Sequence, residues 1–144
     1  MQNPVIAKDA DNTVNTASVR LPRHLRLRRK RDYARVFAEP FRSSDRTVTV
    51  LAIANGRDIP RLGLAISKRW LSRAVARNRI KRLIRESFRA HQDRLRGWDV
   101  VVISRSGITD VGAGMPSVDF FRALERHWDK IRSRRTRQRP CDAS

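Results

Sequence analysis

Three histidines, 14 carboxylates and 33 lysines and arginines are the side chains of this 144-residue chain that could do chemistry. Their spacing decides which chemistry that is. Nucleophilic or hydrolytic catalysis needs a nucleophile beside a base, or paired carboxylates with separated pKa values. His24, His91 and His127 lie in unrelated segments, and none stands in a metal-binding spacing such as HExxH. His91 falls on the apolar side of a helical pattern, the usual place of a satisfied, partly buried histidine. Asp99 opens an apolar run with no visible partner, and most other carboxylates sit singly among arginines, where ion pairing is their expected role. Gly112-Ala-Gly114 lacks the lysine and the strand–helix setting of a phosphate loop. No catalytic residue and no metal-ligand set can be assembled. What the chain advertises is binding.

The binding signal is concentrated between Ser72 and Leu95. Wound as a helix, this stretch places Ala76, Ile80, Leu83, Ile84 and Ser87 on one side, with Phe88 at its edge. The other side collects Asn78, Arg82, Arg85 and Arg89, flanked by Arg79 and Lys81. Ser72 is the expected N-cap and Gly97 the expected C′ residue. Arg73, Arg77 and Lys81 repeat at i,i+4, as do Arg85 and Arg89, and such like-charge pairs oppose helix formation. Arg73 also stands in the first turn, where the helix dipole favours acids. Only Glu86 and Asp93 answer these cations, so the face is built for a polyanion rather than for helix stability.

Composition agrees. The formal net charge is +19, which disfavours a compact state through self-repulsion and is the footprint of a phosphate polymer as partner. Arginine outnumbers lysine, which suits bidentate phosphate contacts and stacking on bases. No apolar run approaches the roughly 18 residues of a spanning helix, and no membrane partner is expected. The single cysteine, Cys141, excludes an internal disulfide and a cysteine metal cluster, which is compatible with a reducing cytoplasm. No secretory signal opens the chain.

Along the chain, residues 1–19 read as a disordered leader, residues 20–134 as one RNA-binding domain, and residues 135–144 as a basic and polar tail. From Arg20 to Arg35 eight basic residues face one acid, Asp32. Within that run a short helix ends before Pro40, with Tyr33 and Phe37 at i,i+4 on one face. Those rings are either core or a base-stacking platform. Residues 46–54 read as a strand, Asn55-Gly56 as a turn, and residues 61–67 as a second strand antiparallel to the first. Trp98–Ser104 is apolar enough to be buried on both faces. Residues 105–116 read as a loop, and Ser117 caps a last helix with an apolar stripe of Phe120 or Phe121, Leu124, Trp128 and Ile131, beyond which a basic tail frays. The class is α+β, with helices on a small sheet.

The sequence AVARNRIKRLIRESFR, preceded by Arg-Leu-Gly-Leu-Ala-Ile-Ser-Lys-Arg at 61–69 and by Arg31-Asp-Tyr-Ala-Arg-Val-Phe37, resembles the bacterial ribonuclease P protein family over roughly residues 21–134. The resemblance implies a two-layer α+β sandwich in which helices pack a small mixed sheet, in the order α-β-β-(β)-α-β-α, with a left-handed βαβ crossover. It implies partnership with ribonuclease P RNA, one protein per RNA, and contact with the single-stranded 5′ leader of precursor tRNA. Hydrolysis would belong to Mg²⁺ held by the RNA, with no cofactor bound by the protein. By the same resemblance Arg77, Asn78, Arg79, Lys81, Arg82 and Arg85 match the RNA-binding helix, with Arg73 and Arg89 extending the set. Tyr33 and Phe37 match leader-cleft aromatics, and Lys68 and Arg69 the basic pair before the helix. Val48 and Val50 stand where some relatives carry bulkier rings in the cleft. Arg77 and Arg79 point about 200° apart on a helix, so one of them is expected to anchor the helix to its own domain. A ribosomal or assembly scaffold is the alternative, and it would have no use for an aromatic single-strand groove.

Overall fold

A computed structural model describes residues 21–143, with side chains through residue 134. The leader at 1–19, Arg20, and the side chains of the 135–144 tail, Cys141 among them, lie outside the described residues. Four strands form one mixed sheet: β1 (Phe41–Ser44), β2 (Val48–Ala54), β3 (Arg61–Ala65) and β4 (Trp98–Ser104), in the order β1-β2-β4-β3. β4 holds the central place its apolar run predicts. All seven of its residues pair antiparallel with β2, and five pair parallel with β3. β3 therefore runs opposite to β2 but is not its neighbour, because β4 lies between them. The 55–60 loop is folded onto the start of β4 instead of closing a hairpin: the Asn55 amide donates to Asp99 Oδ1 (2.9 Å) and to the Ile59 carbonyl (3.1 Å).

β1 is the optional strand of the expected order. Its Arg-Ser-Ser sequence gives no apolar alternation, and the Asp45 carboxylate makes the turn after it, accepting from the N–H groups of Thr47 (2.7 Å) and Val48 (3.0 Å).

The helices are α1 (Lys30–Ala38), α2 (Ala74–Ala90), α3 (Gln92–Leu95), α4 (Ile108–Gly112) and α5 (Ser117–Ala143). α2 is shorter than expected at both ends. Ser72 is not its cap: Arg73 takes that position without a capping side chain. His91 leaves helical geometry at φ −118°, ψ 25°, breaking the stretch into α2 and α3. Gly97 follows α3 at φ +88°, where glycine is favoured as expected. α4 forms inside the expected loop because Ile108 and Val111 are buried, which no loop reading requires. α5 continues through the segment expected to fray.

The sheet divides two cores by strand alternation. One face presents Val48, Val50, Ala52, Leu62, Val100 and Val102 to Ile80, Ile84 and Phe88 of α2 and to Phe120, Leu124, Trp128 and Ile131 of α5. Phe120, not Phe121, completes the α5 stripe. Ser87 lies on the apolar side of α2 because its hydroxyl accepts from Trp128 Nε1 (2.8 Å), whose ring meets Phe88 edge-on. Among the described residues the other face is covered by α1 and the segment before it, where Val36 and Leu27 pack with Leu51 and Val101.

α5 is also pinned to β1. His127, 2% exposed, reaches Ser43 Oγ through Nδ1 (2.6 Å) and Asp45 Oδ2 through Nε2 (2.8 Å). Burial works against the charge on Asp45. Hydrogen bonds from His127, Thr47 and the Val48 N–H outweigh it and hold the carboxyl well below the usual carboxylate range.

Two outcomes are expected. Ile84→Ala should lower the unfolding free energy by about 2–5 kcal/mol, the cost of truncating a fully buried aliphatic. Arg82→Ala, on the solvent side of the same helix, should leave it nearly unchanged; paired urea titrations check both. Asp45 contributes stability that is fully present above the carboxylate's unfolded pKa of about 4 and is lost as pH falls below it. Asp45→Asn should therefore lower the urea midpoint at pH 7 and flatten its decline toward pH 3, measured as midpoint against pH in both proteins.

Candidate nucleic-acid interface

The solvent side of α2 carries Asn78, Arg82 and Arg89, all exposed, with Lys81 half-buried and Arg73 exposed at its start. None of these side chains has an ion-pair partner among the described residues. No acid stands in the first turn of α2. The macrodipole is thus uncompensated where the cations begin, and a row of fixed positive charge faces water.

Two of the expected RNA ligands do other work. Arg77 Nη1 donates to the carbonyls of Leu71 and Ser72, each at 2.8 Å, and so closes the connection that leads into α2. Arg79 reaches the opposite way, to the Val111 carbonyl (3.1 Å) and Ser117 Oγ (3.3 Å), tying α2 to α4 and the start of α5. Only one anchor was expected. Both arginines anchor the helix: Arg77 meets carbonyls of the connection before it, and Arg79 adds a second donor to the Val111 carbonyl, which the Gly114 N–H also meets (3.3 Å). Arg85 is half-buried. Burial lowers its pKa, the nearby Arg26 charge adds to that, and Tyr33 opposes it. A guanidinium still stays protonated at neutral pH. Arg85 therefore joins the α2 cations to the α1 side of the sheet.

On that side the Tyr33 ring lies against β3 at Gly63, where a Cβ would come within 2.7 Å of it. Glycine here is a condition for the ring's seat. Phe37, one turn on, is 47% exposed. The open sheet surface beside α1 is formed by Ile53 and Ile103, which pack against its small core. Thr49 and Ala65 belong to the same face by alternation. Val48 and Val50, expected in a cleft here, are wholly buried on the opposite face, packed in the main core. A strand has period two, so their position one residue from Thr49 and Leu51 turns them away from α1. Lys68 and Arg69 are exposed between β3 and α2, with the Arg69 guanidinium 4.8 Å from the centre of the Trp70 ring.

Two polar clusters escaped sequence reasoning. Asp99, with no exposed surface, receives Arg61 Nε (2.9 Å) and Nη2 (2.7 Å) in a bidentate pair, and Arg61 also faces Asp32 of α1 at 3.7 Å. Hydrogen bonding to Asp99 raises the Arg61 pKa against the opposing effect of burial. The pairing joins residues 38 apart, beyond any local pattern. Ser43, His127 and Asp45 form a hydroxyl–imidazole–carboxylate chain, but the hydroxyl is 4% exposed and faces α5, so no substrate reaches it. It is a structural pin. His91 is satisfied by the Ser87 carbonyl (2.7 Å) and Glu125 (3.3 Å). Among the described residues, no three His, Cys, Asp or Glu side chains converge as a metal-holding group, and no helix is long and apolar enough to cross a membrane.

The model of the family described as Ribonuclease P matches residues 21–132. The chain is 47% identical over 106 residues to the ribonuclease P protein component of Nitrosococcus oceani, covering 74% of this chain and 86% of that one. It is also 47% identical over 107 residues to the same component of Methylococcus capsulatus, covering 74% and 80%. Among solved structures it resembles the Staphylococcus aureus RNase P protein, with TM-score 0.65 and 32% identity over 74% of this chain and 94% of that one. It resembles the Thermotoga maritima RNase P protein likewise, with TM-score 0.67 and 29% identity over 73% and 96%.

Proposed function

This chain belongs to the ribonuclease P protein family and is a subunit of ribonuclease P, and from that premise we propose how its two basic surfaces divide the work. α2 takes the folded ribonuclease P RNA, one protein to one RNA, through Asn78, Lys81, Arg82 and Arg89, with Arg73 at the helix start. Arg77 and Arg79 hold that helix in place. The α1 side, with Tyr33, Phe37, Thr49, Ile103, Lys68 and Arg69, takes the single-stranded 5′ leader of precursor tRNA. Hydrolysis at the mature 5′ end is carried by Mg²⁺ held by the RNA, in the cytoplasm, and the protein contributes charge and position.

The observation that carries this reading is the α2 surface, a rigid helix whose outward cations have no partners among the described residues. Guanidinium and ammonium groups fixed in this way suit RNA phosphates, because no internal pair must first be broken. The α1 side supports the second role. An exposed phenylalanine, a tyrosine seated on glycine and open aliphatics offer stacking surface to unstacked bases, which a duplex would not use. Arg85, placed between the two surfaces, lets one bound RNA approach the other without crossing an acidic surface. Cations beside the cleavage site would also lessen backbone repulsion, so that the RNA holds its Mg²⁺ at lower concentration.

Three outcomes are expected. Cleavage of a 5′-extended precursor tRNA at low Mg²⁺ should be far faster with protein and ribonuclease P RNA together than with either alone; no gain despite tight RNA binding would leave only a scaffold. Arg82→Ala should weaken RNA binding and lower the log–log salt slope by roughly 0.7–0.9, the contribution of one phosphate contact. Gly63→Ala should lift Tyr33 off the sheet and weaken binding of a leader-bearing substrate relative to a leaderless one, read as the ratio of the two dissociation constants. An unchanged ratio would remove Tyr33 from the leader site.

A further inference from the structure

A recess of about 530 Å³ opens at the N-terminal end of α1. Its wall comes from the continuous stretch 23–32, which runs from the 3₁₀ turn Arg23–Leu25 into α1, from the loop between β2 and β3, and from Arg61 of β3. Arg23, Arg28, Arg29, Arg31 and Arg57 line it, and all are exposed. None of the five side chains has an ion-pair partner among the described residues. The one carboxylate in the wall, Asp32, is already engaged by Arg61 at the base and by Arg35. Arg26 closes one side, its Nε donating to the Leu21 carbonyl at 2.8 Å.

The geometry points to a binding site for a compact polyphosphate group, three adjoining phosphates such as those of a nucleoside triphosphate or of the 5′ end of an unprocessed transcript. Five guanidinium groups, four from residues 23–31 and Arg57 from the loop between β2 and β3, repel one another across a shared space, and a multiply charged anion is what relieves that repulsion. The recess has the volume of a small-ligand pocket, whereas an RNA backbone track runs over an open surface. Its wall is guanidinium, which meets phosphate oxygens in a bidentate manner. Ile59 is the one apolar side chain lining it and His24 the one ring, against seven arginines. Recognition is therefore dominated by phosphates, with little preference among nucleobases. The site is independent of the leader and ribonuclease P RNA roles above, and its failure would leave them standing.

The test is calorimetric titration of the full-length protein, at fixed moderate salt, with inorganic triphosphate, ATP, GTP and monophosphate. The same titrations are made on Arg29→Ala/Arg57→Ala and on Arg82→Ala, with circular dichroism confirming that all three proteins are folded. Inorganic triphosphate, ATP and GTP should bind alike and at least about tenfold tighter than monophosphate, the scale of one additional charge-assisted hydrogen bond. The recess variant should lose that advantage and Arg82→Ala should keep it. Equal loss in both variants, or no advantage over monophosphate in the wild type, would overturn the proposal, because diffuse attraction to a +19 surface would then explain all binding. Short RNA oligomers bearing a 5′-triphosphate or a 5′-hydroxyl separate the two sources. A triphosphate advantage that vanishes in the recess variant assigns the site to transcript ends, and free triphosphate binding without that advantage assigns it to nucleotides.

Discussion

The interaction on which the rest of the molecule depends is the pairing of Asp99 with Arg61. A carboxylate with no exposed surface is tolerable only if a cation and hydrogen-bond donors meet it. Arg61 supplies two donors and Asn55 a third, which fixes β3 beside β4 and folds the 55–60 loop against them. Because Arg61 also faces Asp32, the same set locates α1 over the sheet. Tyr33 is the next residue on that helix, and its position over Gly63 follows from this anchoring. A buried ion pair of this kind is weak evidence of net stability. Its effect here is to settle which strand and which helix lie together.

A second regularity follows from how few acids the chain has. With 14 carboxylates against 33 cations, the places where acids are used matter. Asp32, Asp45 and Asp99 are committed to the interior or its margins, and Asp129 and Glu125 bind Arg94 and His91 near the α3–α5 contact. Few remain to neutralise the outward side of α2 or the wall of the recess. Positive potential is therefore concentrated where the acids are absent, and the surface differs from a uniformly basic one. Arg77 and Arg79 show the converse. An arginine in a basic motif can be spent on the protein's own carbonyls, and the motif alone does not say which.

Much of this was legible in the residues. The 3.6-residue period gave the buried side of α2 correctly, and the dense apolar run of β4 gave its central position. The α5 stripe was readable to within one phenylalanine. What could not be read were pairings between distant segments: Arg61 with Asp99, His127 with Ser43 and Asp45, and β4 between β2 and β3. Those depend on closure of the fold and leave no local pattern. Val48 and Val50 failed for a different reason. A run in which both faces are buried has no polar alternation to reveal which residues face which helix, so their assignment to the α1 side was off by one residue. Helix ends were misjudged where a serine offered a cap that the backbone did not use.

The position of β4 also governs the order in which the domain can be assembled. β2 and β3 emerge during translation well before β4, and in the finished sheet they do not touch. Until about residue 104 has left the ribosome, each keeps an open edge that the missing strand will fill. The nascent chain thus carries two unpaired edges and the whole of α2 before its sheet can close, with late, long-range contacts of the sort that slow folding. Like charge along that unfinished segment keeps neighbouring copies apart during the delay. The excess of arginine that serves binding in the mature domain would then also protect the newborn chain from edge-to-edge aggregation.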